Sequence, residues 1–432
     1  MRRIICHLSI AAVLASLAGC ATNPVTGQNE LNIISTQQEI SLGAENYGPA
    51  QQMQGGLYKV DPQVGAYVRE VGQRLSAVSD RPLPYEFVVL NSSVPNAWAM
   101  PGGKLAINRG LLTALNNEAE LAAVLGHEIT HAAARHSAQQ MQRGLLLQAG
   151  VLAAAAAAGS ANERYAPLAV GTAALAASVV NQRYSREAEL EADYYGMGYM
   201  ARAGYDPAAA VSLQETFVRL SEGRQSGWLQ GLLASHPPST ERVAQNRLRA
   251  QQLGVKGEMD TDRFKARMAT LLRDQPAYAA YDDAVKAVAN KDYAKAGDLA
   301  ARAVALQPKE ALFHGMQGFV ALQKGQPSEA LADYQRALAL DGDYYQHYVG
   351  AGLAAKGLNR GPEATRYLEK SVSLLPTATA HNALGELALA RGDRQAAVSH
   401  LRIAAQSDSP VGKQARDTLA QLGVPVAAPA GN

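Results

Sequence analysis

The sequence predicts a mainly α-helical protein in two parts: a helical domain with a small β-sheet, then an α-solenoid of paired helices. Three observations lead there. Apolar residues recur at helical spacing along most of the 432 residues. Two stretches read instead as strands: 85–91 ("YEFVVLN"), and 96–108 ("NAWAMPGGKLAIN"), the latter folded about a Pro-Gly-Gly turn. The second half is periodic. "AVALQP", "ALALDG" and "SVSLLP" carry Leu306, Leu340 and Leu374, 34 residues apart; Ala296, Ala330 and Ala364 keep the same period, and Ala397 follows at 33. A helix–turn–helix unit of this length, with small residues at fixed places, is the signature of tetratricopeptide repeats. Small residues let neighbouring helices approach, and stacking buries what one hairpin cannot.

In chain order, the N-terminus reads as a processing segment. Arg2 and Arg3 precede an apolar run over 4–18, too short to span a bilayer. "LAGC", 17–20, resembles a lipobox, so 1–19 are expected to be a bacterial signal peptide and Cys20 to carry lipid. Ala21 after Cys20 points to the outer membrane, on its periplasmic face. Residues 20–35, with Asn-Pro and Thr-Gly turns, read as a lipidated tether. The first folded domain spans 36–254, with helices expected over 36–48, 62–77, 118–136, 183–203, 207–222 and 239–252. Within it, 144–161 and 166–182 carry no charge. Alanine is weakly apolar and both runs are short for spanning, so they read as a helical hairpin over the core rather than a membrane hairpin. A linker helix is expected over 255–274, repeats over 275–410, and a tail over 411–432 ending in a disordered "VAAPAGN".

Composition excludes some functions. Lys and Arg total 40 against 38 acids, and removal of 1–19 takes two arginines and no acid, leaving about zero net charge. Nucleic-acid binding is not expected. The two cysteines are Cys6, lost with the signal, and Cys20, lipid-bearing. No disulfide is then available, and a metal would have to be held by histidine and carboxylate.

"LGHEITHAAARHS", 125–137, supplies that chemistry. His127 and His131 lie four apart, one helical turn, so both imidazoles reach one ion. Glu128 stands beside them, where a carboxylate meets a metal-activated water; this is H-E-x-x-H. Asn117 is placed to cap the helix, with Glu120 three residues on. His136, about 180° round from His127, is expected to face away. The pattern does not extend to the metzincin form, because Ala134 and Ser137 occupy those positions. The third ligand must come from elsewhere. "SREAELEADYYG", 185–196, offers Glu189 and Asp193 on one helix face and Glu187 and Glu191 on another; spacing alone does not separate the pairs, and an isolated acidic helix would read as a solvated face.

"HEITH" followed by "ELEAD" resembles the HtpX- and BepA-like zinc metalloproteases, relatives of the CAAX prenyl endopeptidases. "NAWAMPGGKLAINRGLL", "SHPPSTER" and "NPVTGQNELNIIS" resemble further segments of that family, and the match spans about 23–250. The resemblance implies a zincin-like (gluzincin) domain holding one Zn2+ through His127, His131 and Glu189, with Asp193 orienting a ligand histidine. It implies peptide hydrolysis with Glu128 as general base. The oxyanion needs a further donor. His236, on the stiff "HPP" segment, is the candidate, assisted by Arg242; without substrate, His236 would instead latch the fourth zinc position. The cysteine-free mature chain departs from better-known members, so a disulfide between the two domains does not carry over.

Substrate is expected to pair in extended form with Asn96, Ala97, Trp98 and Ala99 as an edge strand, Trp98 either lining a pocket or packing in the core. The repeats are expected to bind unfolded or misassembled envelope proteins, or an outer-membrane assembly machine. Tyr344, Tyr345 and Tyr348 would line their concave face or, more simply, fill their interior. His314, His347, His381 and His400 show no ligand spacing. The preferred expectation is an envelope zinc endopeptidase degrading misfolded or stalled proteins. The alternatives are a periplasmic repeat-based chaperone or scaffold with a latched or structural metal, and a zinc hydrolase of non-peptide substrates. An intact Glu128 argues against a purely structural site.

Overall fold

The computed structural model describes residues 20–144, 183–222 and 235–425. The expected signal segment 1–19, the uncharged runs 144–161 (Gly144 aside) and 166–182, and the "VAAPAGN" tail lie outside them. Internal contacts divide the chain into two units, Met1–Ala50 with Asp61–Ala269, and Gln51–Val60 with Thr270–Asn432. No helix among the described residues is long and apolar enough to cross a membrane.

The first unit opens with β1 (Cys20–Thr22) and β2 (Asn29–Leu31), an antiparallel pair. This segment is not the free tether expected over 20–35. Asn23 Oδ1 accepts from the amides of Val25 at 2.9 Å and Thr26 at 3.2 Å, an Asx turn that closes the hairpin. Asn23 Nδ2 donates to the Ala134 carbonyl at 2.9 Å, and Val25 packs on Ala133 and Ala134.

Helices α1 (Thr36–Met53) and α2 (Pro62–Ser76) follow. Asp61 caps α2 and Pro62 starts it, as first-turn geometry favours. Strands β3 (Glu86–Leu90), β4 (Ala97–Met100) and β5 (Lys104–Asn108) form a sheet ordered β3-β5-β4. β5 runs parallel to β3 and antiparallel to β4, pairing Phe87 with Leu105 and Ala97 with Ile107. A short α3 (Arg109–Leu112) leads to α4 (Glu118–Ala133), whose every residue is buried. A helix buried on all faces reads as apolar all round, and here alanine and leucine share it with two histidines and three glutamates. Then come α5 (Arg186–Arg202), α6 (Ala208–Glu222) and α7 (Thr240–Leu253).

Helix α8 (Thr261–Arg273) falls where a linker helix was expected, but most of 255–274 belongs to the first unit's core. Phe264 and Met268 are fully buried, the Phe264 ring lies 6.4 Å from Tyr67, and Arg263 Nη1 donates to buried Glu118 at 3.1 Å. Glu258 also joins the chain at residue 205: its carbonyl accepts from the Asp206 amide at 3.2 Å.

The second unit stacks antiparallel helix pairs: α9 (Gln275–Ala289) with α10 (Tyr293–Leu306), α11 (Ala311–Gln323) with α12 (Pro327–Leu340), α13 (Tyr345–Gly357) with α14 (Gly361–Leu374), and α15 (Ala378–Ala390) with α16 (Arg394–Ala404). The periodic leucines end the second helix of three pairs. The periodic Ala296, Ala330, Ala364 and Ala397 are all 0 % exposed. Each sits where two helices touch. A matching glycine row faces large side chains: a Cβ on Gly318, Gly352 or Gly385 would meet Tyr334, Leu368 or Leu401 within 2.9 Å.

Residues 411–421, expected as part of a tail, form most of α17 (Pro410–Gln421). Ala415 and Leu419 close the core against Leu401 and Ala404. Residues 51–60 belong to this unit too: Lys59 pairs with Asp341 at 2.6 Å and Asp343 at 2.7 Å, and Gln52 donates to the Asp343 carbonyl.

Tyr344 is 4 % exposed and packs edge-on against His347 at 5.1 Å. His381 and His400, which showed no ligand spacing, meet Nδ1 to Nδ1 at 3.0 Å.

Burial lowers the His347 pKa to about 4, despite the opposing charge of Asp341. In the unfolded chain that imidazole protonates near its ordinary 6.5. Between those values the unfolded state binds more protons, so stability rises with pH across about 4 to 6.5, by on the order of 3 kcal/mol in total. Urea titrations of the whole chain at pH 4.5 and 7 check this. The stability gap between the two pH values should shrink in His347→Gln.

Candidate metal centre

Three helices meet at the centre. Asn117 caps α4, accepting from the Glu120 amide at 2.9 Å, and so sets the register of His127 and His131. Ser185 caps α5 through the Ala188 amide at 3.2 Å. On α5, Glu189, Ala192, Asp193 and Gly196 share a buried face. Ser239 caps α7 through the Arg242 amide at 3.1 Å.

Helices α4 and α5 cross glycine on glycine. A Cβ built on Gly196 would lie 2.9 Å from the His127 amide nitrogen, and one on Gly126 would lie 3.0 Å from the Gly196 carbonyl oxygen. Only this closeness brings Glu189 beside both histidines.

Four ligand atoms converge: His127 Nε2, His131 Nε2, a Glu189 carboxylate oxygen and His236 Nδ1. His127 Nε2 lies 3.0 Å from His131 Nε2 and 3.3 Å from His236 Nδ1. Glu189 Oε1 lies 2.9 Å from His236 Nδ1 and 3.4 Å from His131 Nε2. A tetrahedral ion with bonds of about 2.0–2.1 Å has edges of roughly 3.3 Å. The donor set fits a zinc ion in chemistry and spacing.

Charge balance agrees. Glu128, Glu189 and Asp193 face one guanidinium, Arg242, all buried; a dication would balance the remainder. Burial opposes charge on His127, yet the carboxylates of Glu189 and Asp193 outweigh it and raise its pKa to about 10. Without a cation, a proton takes up that role. Burial would raise Glu189, but the charges of His236, His127 and Arg242 hold it well below the usual carboxylate range. Burial instead lowers His131 well below its ordinary value.

Around the donors, His127 Nδ1 meets Asp193 Oδ1 at 2.8 Å, and Arg242 grips both Asp193 oxygens at 2.7 Å. Arg242 Nη1 also pairs with Glu189 Oε2 at 2.8 Å and donates to the Pro237 carbonyl at 3.2 Å. Arg242 was expected to assist the oxyanion. Its donors are instead committed to the two carboxylates and a carbonyl, so it acts here as a clamp. Glu128 Oε1 lies 3.5 Å from His236 Nε2, and Glu128 Oε2 is buried without a hydrogen-bond partner. Burial raises the Glu128 pKa.

A cavity of about 40 Å³ adjoins Glu128, walled by Ala97, Val124, Leu213 and Phe217. It suits a water-sized molecule. Strand β4 is the sheet edge, yet Asn96, Ala97, Trp98 and Ala99 are all buried. Ala97 faces the cavity. Trp98 packs edge-on against Tyr47 at 6.0 Å and so belongs to the core. Asn96 Oδ1 accepts from Ser235 Oγ at 3.2 Å, next to His236.

Two neighbours were not found from sequence. The Tyr184 ring stacks on His131 at 3.8 Å, and its hydroxyl meets Ser137 Oγ at 2.8 Å. His136, expected to face away, is 5 % exposed and its Nδ1 lies 2.8 Å from His131 Nδ1. The helical projection fails there because α4 ends at Ala133 and Arg135 takes φ 63°, after which 136–144 start a new helical stretch.

On an open helix surface Gly196→Ala would gain about 1 kcal/mol in helix propensity. Against the α4 backbone it should instead cost about 1–3 kcal/mol and separate Glu189 from the histidines. Thermal unfolding and zinc titration check this; both Tm and zinc affinity should fall, and an unchanged pair of values would contradict the close-crossing account.

Residues 62–250 match Peptidase family M48. The beta-barrel assembly-enhancing protease of Escherichia coli (strain K12) is 30% identical over 258 residues, covering 58% of this chain and 52% of that protein. The metalloprotease YcaL of the same strain is 30% identical over 250 residues, covering 55% of this chain and 93% of that protein. Among solved structures, MamA 41-end from Desulfovibrio magneticus RS-1 is 21% identical with a TM-score of 0.29, over 34% of this chain and 85% of that one. The chain spans about half the length of the beta-barrel assembly-enhancing proteases of Escherichia coli (strain K12) and Shigella flexneri. By its H-E-x-x-H helix, the matched span and its coverage of YcaL, this chain belongs to peptidase family M48.

Proposed function

We propose that the protein is a zinc-dependent endopeptidase of the bacterial cell envelope that cleaves misfolded or stalled proteins. One observation carries the reading: a buried carboxylate, Glu128, with an unpartnered oxygen, stands beside a donor set of zinc dimensions. A structural metal site needs no such base.

His127, His131 and Glu189 would hold the ion. When bound, zinc acidifies water and polarises a scissile carbonyl. Glu128 would take the proton and return it to the leaving amine, and burial raises its pKa above the ordinary carboxyl value. Asp193 accepts from His127 Nδ1 and fixes that ring's tautomer, while Arg242 holds Asp193 and Glu189 in place.

His236 has two roles at two positions. With Nδ1 in the donor set it closes the fourth position as a latch. Swung aside, its ring offers an N–H to the developing oxyanion. The latched geometry also supports the second reading, a repeat-based chaperone or scaffold whose site is normally shut.

An extended peptide would pair with the β4 edge near Ala97 once that edge is uncovered. The second unit carries a groove of about 500 Å³ lined by Tyr281, Met316, Phe319, Tyr345 and Leu353. Its aromatic and apolar lining suits unfolded segments or an assembly partner. The name of the Escherichia coli relative supports clients among β-barrel proteins of the outer membrane. A lipid on Cys20 would anchor the chain on the periplasmic side; because β1 begins at that residue, little free chain would separate anchor from fold.

Casein cleavage tests the proposal. Activity should vanish with a chelator and return with zinc. Glu128→Gln should keep zinc and lose about 10²–10⁴-fold in rate; undiminished cleavage by that variant would overturn the assignment, and activity confined to small esters would favour a non-peptide substrate. His236→Ala should raise basal cleavage if the latch limits turnover, whereas a large fall would leave the oxyanion role alone.

A further inference from the structure

Arg135 is a non-glycine residue in the left-handed region, which is costly for an L side chain. Its surroundings over-determine it. Arg135 Nε donates to buried Glu39 Oε1 at 2.7 Å, and Nη2 donates to Asn32 Oδ1 at 2.7 Å and to the Ile34 carbonyl. Arg81 grips the same Glu39 at 2.9 Å and reaches the Ala132 carbonyl at 3.3 Å. Strain kept by this many partners is a reason to ask what it serves. It reverses the chain and aims His136 at the metal centre.

His136 Nδ1 lies 2.8 Å from His131 Nδ1, and His136 Nε2 lies 3.2 Å from Glu191 Oε2. Proton placement along this chain has one solution. With His131 Nε2 among the donors, the ring's proton sits on Nδ1 and is donated. His136 Nδ1 must then accept, so its own proton sits on Nε2, facing a carboxylate that accepts. We infer that His136 is a positioning residue for His131, its ring relaying a hydrogen bond between a metal-ligand histidine and Glu191. His127 reaches its carboxylate directly, through Asp193; His131 reaches one through a second ring. The relay fixes the His131 tautomer, while Tyr184 stacking fixes the ring plane. This rests on the reading of His131 as a metal ligand.

The test is zinc affinity of the full chain, by competition with a chelating dye, with thermal unfolding of the zinc-free forms as a folding control. Wild type without zinc would sink the metal-site reading itself. Given zinc in wild type, His136→Leu should weaken binding by about 10–100-fold. His136→Asn, whose amide oxygen is carried on Cγ as Nδ1 is and so accepts at the same place, should recover most of that loss. Wild-type affinity in His136→Leu, or no recovery with Asn, overturns the relay. Should His136→Leu not fold, histidine side-chain 15N NMR of zinc-loaded wild type decides instead. The Nε2–H tautomer of His136 is expected; Nδ1–H or a doubly protonated ring overturns it.

Discussion

A Cβ on Gly196 would stand 2.9 Å from the amide nitrogen of His127. The two helices therefore touch backbone to backbone, and their side chains interleave rather than separate them. Candidate ligand groups on α4 and α5 come within a few ångströms although some sixty positions part them in sequence. Glu189, Ala192, Asp193 and Gly196 form one stripe on α5, two acids and two small residues. The small ones permit the approach that the acids exploit. Neighbouring layers then follow: α7 lays Arg242 across both acids, and the sheet brings Ala97 to the cavity wall.

Burying this many charges is costly unless they are paired. The centre meets that cost with a chain of partners, His127 to Asp193 to Arg242 to Glu189. Removing one member leaves another charge buried alone, so the set behaves as a unit. The remaining negative charge is a standing demand for a cation. The same logic governs Glu39, whose carboxylate is shared between Arg81 and Arg135. One cluster assembles the ligands; the other bends the chain that supports them.

Legibility in the sequence followed the range of the forces involved. The repeats were plain, because one constraint, a small residue at a helix contact, recurs at fixed period. Helix α4 was plain because its cap and its H-E-x-x-H spacing are local. Acid spacing alone left Glu189 and Asp193 level with Glu187 and Glu191; Ala192 and Gly196 on the former face were the unread cue. His136 was misplaced because nothing in "AAAR" announces a left-handed arginine, which depends on Glu39 nearly a hundred residues earlier. Arg242 likewise passed for a catalytic helper, since clamping two distant acids is a tertiary fact. The 20–35 hairpin passed for a tether because its anchor points, Ala134 and Gln142, lie far along the chain.

The central claim is that the glycine crossing assembles three imidazoles and one carboxylate about a single ion. Zinc K-edge X-ray absorption of the metal-loaded chain tests it most directly. A first shell of about four nitrogen and oxygen scatterers near 2.0–2.1 Å is predicted, with multiple scattering from imidazole rings. A shell of water-like oxygens without imidazole signature, or no stoichiometric zinc, would contradict it.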